Sequence, residues 1–292
     1  YIPPLFLSNC SQLNFLQLAH NKFVGEMPDI FLDKPNLQVV YLSYNRDLVG
    51  TFPTSLSNCH EIVLFSAKVT GLSGQLPSLE APQLISFRAG RGAIAGTIPE
   101  SLLVSHGLRV LDITGPLTEY GDLSGSLPTG APHAWPNLTL LVLSTNKLSG
   151  TLDPGLGYLT RLGTVAVSAN FFTGSLPAVP PNAITLLYDD NFFEGIAPDG
   201  LCDIVTFNLR GNSKLNCPLP SCCSTAVTCA RQCCDASCVP LRMIVWDRVL
   251  LVGIIMAGVL VVVIALALHW LWVWLAGEAV RWLSGAVRWL SC

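Results

Sequence analysis

Charge is what this chain has least of. Only 12% of its 292 residues are Asp, Glu, Lys or Arg, about half the share of an average soluble protein. The net charge of −3 is too weak a field to favour nucleic acid or another strongly charged partner. Histidine is scarce too, with five in all, and none has a partner that the sequence identifies. No metal-ligand spacing, nucleophile elbow or phosphate-cradling loop occurs. Gly90 and Gly92 form a Gly-x-Gly after a strand-like run, but the third glycine and a following acidic residue are missing. Asp189 and Asp190 are adjacent, so on a strand they face opposite ways. They read as solvated turn residues rather than an acid–base pair. Catalysis, a cofactor and a bound metal are therefore not expected.

Cysteine is plentiful but uneven. There are eleven. Cys10 and Cys59 stand apart, and Cys292 is the last residue. Cys202, Cys217, Cys222, Cys223, Cys229, Cys233, Cys234 and Cys238 crowd one short stretch. That stretch holds no His and no Cys-x-x-Cys pair, which argues against zinc. Such density suits an oxidising compartment, so these eight are candidate disulfide cysteines with open pairing.

A repeat runs through most of the chain. Its first full frame is Leu13-x-x-Leu16-x-Leu18-x-x-Asn21-x-Phe23-x-Gly25-x-Met27-Pro28. The frame returns from Leu37, Ile62, Leu84, Leu108, Leu138, Leu162, Ala183 and Ile204, in steps of roughly 21 to 30 residues. The Leu-x-Leu core predicts a short strand with its apolar residues inward and its x residues outward. Asn21, Asn45, Asn146, Asn170, Asn191 and Asn212 end the strands, where their amides can satisfy buried backbone groups worth about 1–3 kcal/mol each. Thr70, Gly92 and Pro116 interrupt that ladder, which predicts a weaker middle in repeats three to five. The Gly-x-x-Pro tail turns the chain on to the far side. No single repeat can bury its own apolar face, so the stack is the folding unit.

This pattern resembles the plant-type leucine-rich repeat, over about Pro3 to Pro220. The resemblance implies an α/β-type solenoid with short parallel strands on a concave face. Residues Pro3 to Ser11 look like the second half of an earlier repeat, so the chain reads as truncated at its N-terminus. The run Asn212 to Cys222 resembles the cysteine cap that closes such ectodomains. With one membrane span and no kinase after it, the layout resembles a receptor-like protein of that family. Similar repeats also occur in surface proteins of protists.

The expected span is 249–270. Val249 to His269 gives about 31 Å of helix, which matches a bilayer core of about 30 Å. Trp246 marks one interface, and Trp270, Trp272 and Trp274 the other. Arg242 and Arg248 balance Arg281 and Arg288, so positive charge does not decide the orientation. The cysteines do, because they precede the span and place residues 1–248 on the exoplasmic side. Asn9-Cys10-Ser11 and Asn137-Leu138-Thr139 are sequons on that side, making Asn9 and Asn137 candidate glycosylation sites. Gly253 and Ala257 form a small-x-x-x-small pair. The tail repeats Ala-Val-Arg-Trp-Leu-Ser and is amphipathic as a helix. The expected organisation is repeats in 1–216, a cysteine-rich cap in 217–241, the span, and a cytoplasmic tail in 276–292.

Equivalent outward positions of stacked strands form columns about 4.8 Å apart. The column between the core residues reads Gln17, Tyr41, Ser66, Arg88, Asp112, Val142, Ala166, Leu187, Asn208. The columns beside it add His20, Tyr44, Lys68 and Arg91. One aromatic and basic patch results: His20, Tyr41, Tyr44, Lys68, Arg88 and Arg91. Aromatic and Arg residues are favoured at binding hot spots, and the middle of the array is small and neutral. The expectation is a membrane-anchored recognition protein that binds an extracellular peptide, protein or glycan and needs a signalling co-receptor. The alternatives are an adhesive or structural surface protein and an inhibitor of an extracellular hydrolase.

Overall fold

The structure, a computed structural model, describes residues 1–116 and 120–216. Seven of the eight clustered cysteines, the expected span and the tail lie outside the described residues, as do positions 117–119 between repeats five and six. Among the described residues no helix is long and apolar enough to cross a membrane.

Two nine-stranded parallel sheets run the length of this unit. The first takes one strand from each frame: Phe15–Gln17, Val39–Tyr41, Leu64–Lys68, Ser86–Gly90, Val110–Asp112, Leu140–Val142, Thr164–Ala166, Thr185–Leu187 and Thr206–Asn208. Each pairs with its neighbours in frame order. The second sheet runs from Gly25–Glu26 through strands such as Asn45–Thr51, Thr70–Gln75 and Phe171–Ser175 to Lys214–Leu215. The repeat frame predicts only the first of these two sheets. The solenoid of parallel strands is as expected, but the α/β part of the expectation needs correcting, because among the described residues helix is confined to short 3-10 turns and the four-residue Ala131–Ala134. The reason is local. The tail glycines take φ of +75° to +94° (Gly25, Gly50, Gly74, Gly96, Gly125, Gly150, Gly174, Gly195), which breaks any helix, and the prolines that follow most of them remove a donor. The extended chain then pairs with the next repeat. Hydroxyls reinforce it, with Ser73, Ser124 and Thr173 donating to the carbonyls of Gly50, Gly96 and Gly150 one repeat back at 3.1–3.3 Å.

The core lies between the sheets. The frame positions Leu37, Val40, Leu42, Leu84, Phe87, Leu108, Leu111, Leu138, Leu141 and Leu162 are fully buried. Each such side chain contributes about 1.5–3 kcal/mol of burial. Phe65 and Phe87 stack at 5.2 Å, and Phe172 on Phe193 at 6.2 Å, one repeat apart.

The asparagines form the expected ladder. Asn170 is buried, and its Nδ2 donates to the Leu143 carbonyl of the previous repeat at 2.9 Å and to the Val167 carbonyl of its own at 3.0 Å. Its Oδ1 accepts the Leu148 N–H at 3.0 Å. Asn45, Asn146, Asn191 and Asn212 likewise bridge to the preceding repeat. Asn21, at the open end, is exposed and bonds only carbonyls of its own repeat. Before most ladder positions the backbone is left-handed. His20, Tyr44, Val69, Arg91, Thr145, Ala169 and Asp190 have φ between 52° and 61°, a conformation that costs about 1–2 kcal/mol in non-glycine residues. The amide bonds that follow hold that turn.

Where the asparagine is missing, the backbone takes over. Leu64–Lys68 pairs with Ser86–Gly90 over five positions, through Ala67↔Ala89 and Lys68↔Gly90, where most other neighbours in this sheet pair over three. Thr70 supplies only one bond, from Oγ1 to the Ala67 carbonyl at 3.0 Å. A Cβ on Gly90 would stand 2.4 Å from the Thr114 carbonyl oxygen, and one on Gly92 2.3 Å from that of Leu72. The middle repeats therefore close by direct backbone approach at glycine, where a weakened side-chain ladder was expected.

Candidate ligand-binding face

The outward column predicted from the sequence exists as one register. Gln17 pairs with Tyr41, Tyr41 with Ser66, Ser66 with Arg88 and Arg88 with Asp112. Val142, Ala166, Leu187 and Asn208 continue it. At its N-terminal end lies a hollow of about 270 Å³, lined by Gln17, Ala19, His20, Tyr41, Ser43, Tyr44, Ser66, Lys68 and Arg88. Five of the six predicted residues thus meet in one place. Arg91 is exposed but is not part of the lining.

The aromatic wall is ordered by stacking. His20 lies on Tyr44 with ring centroids 4.2 Å apart and planes 17° from parallel. Both occupy the left-handed position of consecutive repeats, which aligns the rings. Phe15 meets Tyr41 edge-on at 6.0 Å. The floor is polar: the Ser43 and Ser66 hydroxyls are 2.7 Å apart, and Ser43 Oγ accepts the Lys68 N–H at 3.0 Å.

Sequence reasoning missed the serines, Gln17 and above all Asp112. Lys68 Nζ is ion-paired with the Asp112 carboxylate, whose other oxygen accepts from Thr114 Oγ1 at 2.7 Å. The patch is therefore less basic than its cations suggest. Register was the available signal, since Asp112 stands in the predicted column beside Arg88.

Other predicted positions fall elsewhere. Asp189 is half-buried rather than solvated. It accepts from Ser168 Oγ at 2.5 Å, and burial holds its carboxyl above the usual range. Asp190 is exposed at positive φ. Asn9 is exposed, and Asn137 donates to the His106 carbonyl at 3.1 Å. Cys202 is exposed in the turn Leu201–Asp203. Cys59 is a buried free thiol, pushed up to about 11 by burial, with Asp29 adding to the shift and Lys34 opposing it. An aromatic row outside the hollow was not foreseen: Tyr120, Phe171 and Phe192 stack at 6.0 Å intervals and are all exposed.

Comparison with known proteins gives these features a context. Receptor-like protein 14 of Arabidopsis thaliana is 30% identical over 233 residues, covering 69% of this chain and 23% of that protein. Receptor-like protein 53 of the same plant is 28% identical over 174 residues, 60% of this chain and 15% of that one. Its homologues are plant receptor-like proteins. The plant leucine-rich-repeat fold is matched in three dimensions too. The Arabidopsis receptor kinase HAESA, solved with the peptide hormone IDA and the co-receptor SERK1, superposes with a TM-score of 0.62 at 27% identity, over 74% of this chain and 36% of that one. The PEPR1–AtPEP1 structure gives 0.61 at 26%, over 75% and 33%. The chain spans less than a quarter of the length of the two receptor-like proteins. No protein-family model matches it.

Proposed function

We propose that this chain is the membrane-proximal part of a receptor-like recognition protein, and that its first sheet binds an extracellular ligand at the hollow between His20 and Arg88. The observation that carries this is the convergence of five predicted residues on one lined depression of an otherwise repetitive face. Repeats need only their inward residues for folding, so three aromatic or imidazole rings and two cations on the outward columns are free for recognition. The relatives support the class. HAESA is solved with a peptide hormone and a co-receptor, and PEPR1 with AtPEP1. A peptide is therefore the favoured ligand over a protein or glycan. The span at 249–270 anchors the chain, residues 1–248 lie outside the cell, and a co-receptor carries the signal. Catalysis plays no part in this reading.

The test is binding of peptides captured from the extracellular fluid of the source tissue. Arg88→Ala with Arg91→Ala is expected to weaken capture by at least tenfold, since charge-assisted hydrogen bonds are worth about 1.5–3 kcal/mol. Ser144→Ala is the control on the neutral stretch. Ser168 is unsuitable as a control because its hydroxyl serves Asp189. An arginine pair that behaves like Ser144 sinks the reading.

A further inference from the structure

The hollow has two cations in its lining, and of the two only Lys68 is in an ion pair. Lys68 is held by Asp112, and their side chains are 25% and 10% exposed. Lys68 reaches across the intervening strand because its register partner there is Gly90, which has no side chain to block the path. Thr114 fixes the far oxygen of the carboxylate. Among the described residues the ion pairs are Lys68–Asp112 and Lys147–Asp122, so Arg88 itself is in no ion pair there. Beside it stand Tyr41 and the His20–Tyr44 stack. At about 270 Å³ the hollow is smaller than most drug-sized sites and has room for one side chain.

We propose that the hollow takes a single monoanionic group, a carboxylate side chain of an acidic peptide, and that Asp112 is the specificity-determining residue that turns away a dianion such as a phosphorylated side chain. This rests on the reading of the face as ligand-binding. A carboxylate satisfies the Arg88 fork while its stem lies on the rings. A phosphate monoester, doubly charged above about pH 6, needs a second cation. Lys68 is committed to Asp112, and drawing it toward the phosphate weakens its hold on a nearly buried carboxylate. The ion pair thus sets a penalty on the second charge.

The experiment measures benzoate and phenyl phosphate binding to the full chain in nanodiscs at pH 7.5 by ligand-observed NMR. Wild type is expected to prefer benzoate, and Arg88→Ala to weaken it about tenfold. Asp112→Asn lifts a negative charge from beside Arg88 and should strengthen both anions, phenyl phosphate about tenfold more than benzoate. Adding Lys68→Met should abolish that extra gain. A phenyl phosphate affinity that rises no more than that of benzoate in Asp112→Asn, or an extra gain that survives loss of Lys68, overturns the selection mechanism, while an Arg88-dependent benzoate site would leave the face itself standing. No Arg88-dependent binding of either probe overturns both. Acylation of the lysines gives a readout independent of ligand. Lys68 should react more slowly than exposed Lys22 in wild type and as fast in Asp112→Asn, and equal rates in wild type would refute the tether.

Discussion

Replacing Asn170 by Ala removes one side chain that serves two repeats. Four bonds disappear: two of 2.9–3.0 Å donated to the Leu143 and Val167 carbonyls, a longer one of 3.3 Å donated to the Ser168 carbonyl, and one of 3.0 Å accepted from the Leu148 N–H. Asn170 is 2% exposed, so water reaches none of these groups easily. The stranded Leu148 N–H should cost about 1–3 kcal/mol. The carbonyls cost less each, because an oxygen with two lone pairs is easier to satisfy. A total of about 3–4 kcal/mol follows, a large share of the 5–15 kcal/mol typical of a folded domain. Asn21→Ala is the internal control, since Asn21 bonds only its own repeat and is exposed. Urea titration followed by circular dichroism reads the difference, and hydrogen exchange at the Leu148 amide locates it. Nearest-neighbour coupling in a repeat array predicts faster exchange in repeats six and seven before the rest. If Asn170→Ala costs no more than Asn21→Ala, the ladder is decorative and the reasoning fails.

Two further outcomes follow from the structure. Gly115→Ala places a methyl 1.8 Å from the Thr145 carbonyl oxygen, which is backbone and cannot swing away, whereas Gly130→Ala meets open space at φ +80°. The first should lower Tm far more than the second, and equal shifts would show that the two backbone segments do not approach closely at Gly115. Cys59, buried and pushed up to about 11, should resist alkylation of the native protein at pH 8, while exposed Cys10 reacts promptly. Because its folded value lies above the ordinary 9.0, the stability linked to that thiol is complete below pH 9 and declines as pH rises toward 11. Rapid labelling of Cys59 at pH 8 without unfolding would contradict its burial.

The repeat frame made the first sheet legible down to its register. Fixed offsets of Leu, Asn and Gly recur, and equivalent residues of a parallel stack must lie side by side. That is why the repeat alone puts Tyr41, Ser66, Arg88 and Asp112 in one column, as the strand register does. The second sheet was not legible, because its strands carry glycine, serine and threonine, whose strand propensity is mixed and whose pairing depends on the turn before them. The Lys68–Asp112 contact spans 44 residues and two strands. Column membership alone says which residues are near, but the reach of a lysine across an empty glycine depends on rotamers that periodicity does not encode.

The two cations of the candidate site fall in the irregular repeats, and one cause accounts for both. Thr70, Gly92 and Pro116 stand where the ladder wants asparagine. Without that amide the strands draw together over Gly90 and Gly92, leaving no side chain above Gly90 on the outward face. The same vacancy lets Lys68 cross to Asp112 and leaves Arg88 as the hollow's cation in no ion pair. In the regular repeats from Asn146 to Asn212 the ladder is complete, and the outward column runs through Val142, Ala166 and Leu187 with no cation. Departures from a local rule concentrate where something other than stability is being selected. Restoring the rule should therefore trade one property for the other. Thr70→Asn adds an amide able to bond the previous repeat, and it should stabilise the stack by about 1 kcal/mol while shifting the strand that carries Lys68. If it stabilises without altering reactivity at Lys68, the irregularity and the site are independent.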